Sequence, residues 1–180
     1  MKANWLIICV FLVVCLSCKS SKSKFTETQI NALETLITSR NYTIKSDWAK
    51  PQVTNAMQQV LNSGVLQPGN TAGAISLIGN DNYLTVSNDS VTSYLPYYGE
   101  RQMGTIYGDN GGIELNGILE NYQVSKGKHQ SYLVKFNASS KTERFNVIIQ
   151  LFPNLKSEMS ILSSSRFPIS YTGIIKSSNE

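Results

Sequence analysis

The chain has 180 residues, three cysteines and one histidine, with 16 Lys and Arg against 12 Asp and Glu. Its formal charge of +4 resides at the start, in Lys2, Lys19, Lys22 and Lys24; from Phe25 onward twelve basic residues face twelve acidic ones. A neutral domain offers no basic stripe to a phosphate backbone, which excludes the nucleic-acid-binding class and leaves no nucleic-acid partner.

Lys2 precedes twelve apolar residues, Trp5 to Leu16, and Ser17-Cys18 closes the block before Lys19. A positive start, an apolar stretch and a small residue before the cut are the parts of a secretory signal. The cysteine just after that small residue resembles a bacterial lipobox, which implies that Cys18 is diacylated and becomes the mature N-terminus. The pattern departs from the usual one in carrying Cys15 where Leu is common. Cys15 is a rival site, but Val14 before it is bulkier than Ser17 and an apolar residue follows it. An uncleaved spanning helix and plain cleavage without lipid are the alternatives. The sixteen uncharged residues between Lys2 and Lys19 fall short of the roughly 18 a spanning helix needs. The organisation expected is a signal peptide over 1–17, a lipidated Cys and Lys/Ser tether over 18–24, and one globular domain over 25–180. Cys9, Cys15 and Cys18 are the only cysteines, so the mature domain has no disulfide and must be held by its core. The six tether residues Lys19 to Lys24 reach about 20 Å when extended, which keeps the domain near its membrane.

Thr26 and Gln29 fit a capping box, with Phe25 and Ile30 as a hydrophobic staple. Ile30, Leu33, Leu36 and Ile37 mark one face of a helix that stops at Arg40-Asn41. Tyr42, Ile44 and Trp48 predict a strand up to Pro51, and Val53, Met57, Val60 and Leu61 have helical spacing up to Gly64. From Ala74 the period is two: Leu77-Ile78, a turn at 79–82, Tyr83 to Val86, a turn at Asn88-Asp89, then Val91 to Leu95. Tyr132, Val134 and Phe136 alternate, Ala138 to Lys141 turns, and Phe145, Val147, Ile149 and Leu151 alternate back. After the break at Phe152-Pro153-Asn154, Met159 and Ile161 begin another strand and Ile169 to Ile175 form the last. The fold class expected is α+β, mainly β: an antiparallel sheet of about 8–10 short strands, as open barrel or sandwich, with one N-terminal helix packed on it.

Residues 94–117 hold four of the nine tyrosines and six of the twelve glycines. Tyrosine beside glycine presents rigid amphipathic area at low entropic cost, so Tyr97, Tyr98, Arg101 and Tyr107 are candidates for a ligand or interaction surface. The plainer reading is that the rings seal the end of a sheet. Leu95-Pro96-Tyr97-Tyr98-Gly99, Gly111-Gly112-Ile113-Glu114-Leu115, and Arg166 with Ile169-Ser170-Tyr171-Thr172-Gly173 resemble the lipoprotein family of the domain of unknown function 4251. The resemblance runs from the helix near Thr26 to the C-terminus. It implies an exported, lipid-anchored protein of Bacteroidetes type, brings no activity, and adds Glu114, Arg166 and Tyr171 to the candidate surface. Outer-surface lipoproteins of such bacteria usually carry acidic residues after the cysteine; lysines there point to an outer-membrane anchor facing the periplasm.

Glu114 falls on the opposite strand face from Ile113 and Leu115. An Arg166–Glu114 pair bridging two loops is the structural reading of both residues, and capture of an anionic group by Arg166 or Arg101 the functional one. No catalytic residue, metal site or cofactor is assigned. His129 lies in a polar turn, unsuited to a Ser-His-Asp triad, and a single histidine without a free cysteine makes no zinc site. Gly108 to Gly112 lacks the lysine of a phosphate loop and the spaced acids of a calcium loop. Asp89-Ser90-Val91 resembles an O-glycosylation acceptor, with Ser90 the modified residue. The function expected is a non-catalytic envelope module that binds a protein or glycan. The alternatives are an envelope-polymer hydrolase using a carboxylate pair such as Glu100 with Glu114, and a structural part of an outer-membrane assembly.

Overall fold

The computed structural model describes residues 25–102, 111–140 and 143–178. Helix α1, Glu27–Ser39, opens with the expected capping box. The Gln29 amide donates to Thr26 Oγ1, and the Thr26 amide donates to Gln29 Oε1. It ends where Arg40 turns into the left-handed region, releasing the chain into β1, Asn41–Pro51. A second helix, α2, spans Asn55–Asn62 and is capped by Thr54, whose hydroxyl accepts from the Met57 amide.

The remaining strands are β2 (Ile75–Ser76), β3 (Tyr83–Ser87), β4 (Ser90–Leu95), β5 (Ile113–Ile118), β6 (Glu120–Lys126), β7 (Tyr132–Ser139), β8 (Arg144–Leu151), β9 (Lys156–Ser163) and β10 (Ile169–Ser177). They form one antiparallel sheet in the order β5-β4-β3-β1-β10-β9-β8-β7-β6, with β2 also paired to β1. β5 and β6 stand at opposite ends of that order, yet Leu119 alone separates them in the chain. The sheet must therefore curl until its two ends meet, and it does so as a nearly closed barrel. Gly117 of β5 faces the Ser139 carbonyl of β7, with 3.7 Å left for a Cβ.

Alternation decides which side chains fill the barrel. Tyr42 and Ile44, Leu84 and Val86, Val91 and Leu95, Ile113 and Leu115, Phe136, Phe145, Val147, Ile149, Met159, Ile161, Tyr171 and Ile175 are all buried in one core. Leu33 and Ile37 of α1 join it, so the N-terminal helix is packed on the sheet as expected. A satellite cluster of Met57, Ala72 and Ile75 lies under α2, and Tyr98 packs against both cores. Among the described residues no helix is long and apolar enough to cross a membrane.

Two local expectations are corrected, and one strand goes unread. Ala138 is buried within β7 rather than starting a turn, because the β7–β8 ladder continues to Ser139 opposite Arg144. The strand near Leu77 is Ile75–Ser76, since these residues pair with Ala49 and Trp48; Leu77 follows it, donating its amide to the Asp47 carbonyl. β6 has no buried residue and so carries no alternation to read.

Replacing Leu33, fully buried in the core, by Ala is expected to cost about 2–5 kcal/mol of unfolding free energy. Urea denaturation of the domain measures it, and a loss below about 1 kcal/mol would detach α1 from the core.

Candidate functional site

Three loops gather at the end of the barrel where β1 finishes and β10 begins. They are the β4–β5 connection, the β7–β8 turn and the β9–β10 connection, and Arg166 in the last of these holds them together. Its Nε donates to Glu143 Oε2 at 2.8 Å, and both side chains are only 8% exposed. Its Nη1 donates to the carbonyls of Gly111 and Gly112 at 3.0 and 3.1 Å. The guanidinium also lies 5.1 Å from the centre of the Tyr97 ring and 5.8 Å from that of Phe145. Such close approach to aromatic faces favours a desolvated cation.

Glu143 is held as a carboxylate. Burial pushes its acidity down, but hydrogen bonds from Ser163 and Ser165 and the charge and hydrogen bond of Arg166 outweigh it, leaving its pKa below the usual value. The Ser163 hydroxyl donates to Glu143 Oε1, so both carboxylate oxygens are occupied.

Tyrosines complete the arrangement from within. The Tyr97 hydroxyl lies 2.8 Å from the Glu100 carbonyl and 2.9 Å from that of Phe167, tying the first loop to the third. Those loops also exchange backbone bonds: the Gln102 amide donates to the Ser165 carbonyl, and the Phe167 amide to the Glu100 carbonyl. Tyr171, buried in the core, donates to the Pro96 carbonyl at 2.8 Å. Burial raises the pKa of both tyrosines, so they remain neutral hydrogen-bond donors at physiological pH. Gly99 is needed beneath Tyr97, because a Cβ there would lie 2.4 Å from the hydroxyl oxygen.

These ties connect Leu95 to Gly99, Gly111 to Leu115, and Arg166 with Ile169 to Gly173. Residues 24–175 match the family model of a domain of unknown function, DUF4251. The chain belongs to the DUF4251 family. A crystal structure of a DUF4251 family protein from Bacteroides eggerthii DSM 20697 is similar to it. The two are 11% identical, with a TM-score of 0.58 over 84% of this chain and 89% of that one. At that identity the likeness is one of fold. No curated protein matches the chain.

The DUF4251 stretches thus meet in space, although the sequence-predicted candidates divide between two environments. Tyr97, Arg166 and Tyr171 point inward and spend their polar atoms on the loops. Arg101 lies in the backbone bridge opposite Arg166. Tyr98 is half-buried between the two cores. Glu114 is exposed on β5, opposite Tyr94 of β4, which is opposite Tyr83 of β3. Tyr83 and Tyr94 are 41% and 40% exposed, so an outward row of two rings and a carboxylate crosses three strands. Ser90 is exposed at the start of β4, its hydroxyl donating to the Ser87 carbonyl. Cys18 and Tyr107 lie outside the described residues.

Glu143 is the residue that sequence reasoning missed: it, rather than the expected Glu114, is the carboxylate that pairs with Arg166, because Glu114 alternates outward on β5 while Glu143 lies in the turn beside the β9–β10 connection. It stands in a polar turn and meets Arg166 23 positions away; its one local signal is the carboxylate amid hydroxyl residues just before the Phe145 alternation. Tyr83 was read only as the start of a strand.

Glu143→Gln is expected to destabilise the domain at pH 7 by up to about 3–5 kcal/mol, the usual loss when a buried pair is broken. Because the folded pKa of Glu143 is depressed, its contribution is present above the unfolded value of about 4.3 and is lost as pH falls through the folded value. Denaturant midpoints from pH 7 to pH 3 should show the gap between variant and wild type closing below about pH 4. A gap independent of pH would remove the carboxylate from this role.

Proposed function

We propose that this DUF4251 domain is a non-catalytic binding module of the cell envelope, exported and anchored at the periplasmic side of the outer membrane by lipid on Cys18. Its contact surface is the outward face of β4 and β5, where Tyr94 and Glu114 extend a row begun by Tyr83. The observation that carries this reading is the row itself, Tyr83–Tyr94–Glu114, exposed on hydrogen-bonded strands. Side chains mounted on strands are held more closely than side chains on loops, which lowers the entropy a partner must remove on binding. Tyrosine adds a flat apolar face and a hydroxyl, suited to a protein surface or to a sugar ring. The neighbouring Arg166, Glu143, Tyr97 and Tyr171 are consumed by internal bonds, which favours binding at the row over acid–base chemistry among the loops.

A photo-crosslinking residue in place of Tyr94, in intact cells, should give an adduct that co-expressed wild-type protein competes away. The same residue in place of Glu158, on β9, should not. Tyr83→Ala should weaken capture at least roughly fivefold, the effect of losing an interface residue worth about 1 kcal/mol. Equal labelling from both positions by a folded protein would overturn the assignment of the face.

The anchor is tested separately. Wild-type protein should fractionate with membranes and carry a diacylglyceryl mass on Cys18, while Cys18→Ser should lose that mass and become soluble. Membrane retention of Cys18→Ser would favour an uncleaved apolar segment instead.

A further inference from the structure

Closure at Leu119 leaves one strand edge open. β5 pairs with β4 and closes against β7, where Gly117 faces the Ser139 carbonyl. β6 carries on past that point along β7, and among the described residues no second strand pairs with it. Every second residue of such an edge turns its N–H and C=O away from the one neighbour, where a further strand can take them up.

Sheets guard their edges with proline, bulges, inward charges or a covering element. Tyr122 to Lys126 contain no proline, the one register shift lies before Gln123, and the single charge, Lys126, stands at the end. Six of the seven β6 residues are exposed. Val124 is opposite Val134, so the two share the inward face; Val134 is fully buried, yet Val124 is 42% exposed. An inward-facing valine thus stands in water beside an undefended edge.

We propose that the open edge of β6 pairs antiparallel with β6 of a second copy of this chain, the two-fold axis passing through Val124. The stretch is self-complementary about that residue. Val124 meets Val124 of the second copy on the inward face, and Gln123 meets Ser125 on the outer one, as cross-strand pairs of like polarity. Tyr122, whose ring stacks on Phe136, meets the apolar stem of Lys126. The two Lys126 residues are kept about 14 Å apart along the strands. Continued into the next turn, the register carries Lys128 toward Glu120 of the second copy, close to Asp89, whose carbonyl accepts from Leu119. Those acids hold the surface residues Arg144 and Arg40 at 3.3 and 3.1 Å, so Lys128 joins a network of both signs. Other registers fare worse. An axis at Gln123 runs the ladder into Asn121, whose φ of 54° is left-handed, and an axis at Lys126 sets lysine against lysine. An edge about 17 Å long makes a small interface, so the copies associate reversibly.

The chain suits a cysteine test, because its own cysteines are Cys9, Cys15 and Cys18. Full-length Val124→Cys, treated in intact cells with a short thiol–thiol crosslinker, should give a dimer band absent from wild type and from Leu162→Cys, which places an exposed thiol on β9. Gln123→Cys co-expressed with a differently tagged Ser125→Cys should give the mixed dimer in preference to either homodimer. Adding Val124→Lys, an inward charge at the axis, should remove that mixed dimer while the melting temperature stays near that of wild type. No dimer from folded Val124→Cys, equal crosslinking from Leu162→Cys, homodimers of Gln123→Cys in excess of the mixed species, or capture of a different protein in place of a second copy would each overturn the proposal.

Discussion

Closure of the sheet at Leu119 is the constraint from which the rest of this fold follows. With β5 and β6 at opposite ends of the strand order and one residue between them, a flat sheet is impossible. The Leu119 amide donates to the Asp89 carbonyl at 2.8 Å, fixing the crossing point against the β3–β4 turn. Curling gives the strands an inside, and that is why burial alternates along β1, β3 to β5 and β7 to β10, while β6 at the closing edge buries no residue. It also creates two ends that must be sealed against water. Beside the end where β1 begins, α1 supplies Leu33 and Ile37 to the core. Among the described residues the other end has no helix of comparable depth, and there the loops are drawn together by Arg166.

Such a clasp contributes less through raw ion-pair energy than through geometry. Desolvating a guanidinium and a carboxylate consumes much of what their attraction returns. Breaking either partner leaves the other charged and buried, so the pair penalises any arrangement in which the β7–β8 turn and the β9–β10 connection drift apart. The carbonyls of Gly111 and Gly112 on Nη1, and the bonds of Tyr97 to Glu100 and Phe167, extend the same penalty to the β4–β5 connection. Three loops separated widely in sequence thereby share one set of polar contacts. Specificity of loop placement is the physical return on a buried charge here.

Much of this was legible in the chain because the relevant signals are local. Thr26 and Gln29 announce α1 through a capping box that both partners complete, and Phe145 to Leu151 alternate because that strand has one buried face. β6 was illegible for the opposite reason: Glu120 to Lys126 have no buried face to alternate with. The candidate site was half legible. The residues of the Leu95–Gly99, Gly111–Leu115 and Arg166–Gly173 stretches were identified, and the structure brings them together. Which carboxylate meets Arg166 was not readable, because that contact spans strands and loops, and Glu143 lies in none of the three stretches.

The division between inward and outward tyrosines bears directly on what the DUF4251 stretches mean. Tyr97 and Tyr171 act as struts whose hydroxyls end on backbone carbonyls, and Arg166 is surrounded by Glu143, two glycine carbonyls and two aromatic rings. A residue so occupied offers a ligand little without first releasing the loops it holds. In this chain the three stretches that carry the resemblance are therefore largely a description of how one end of the barrel is held together. The recognition proposed for this chain then falls to positions the barrel does not need. The row of Tyr83, Tyr94 and Glu114 meets that condition: its side chains face away from the core, while the strands beneath them are fixed by the closure at Leu119 and the clasp at Arg166. On this view the interior chemistry supplies rigidity, and the outward row uses it.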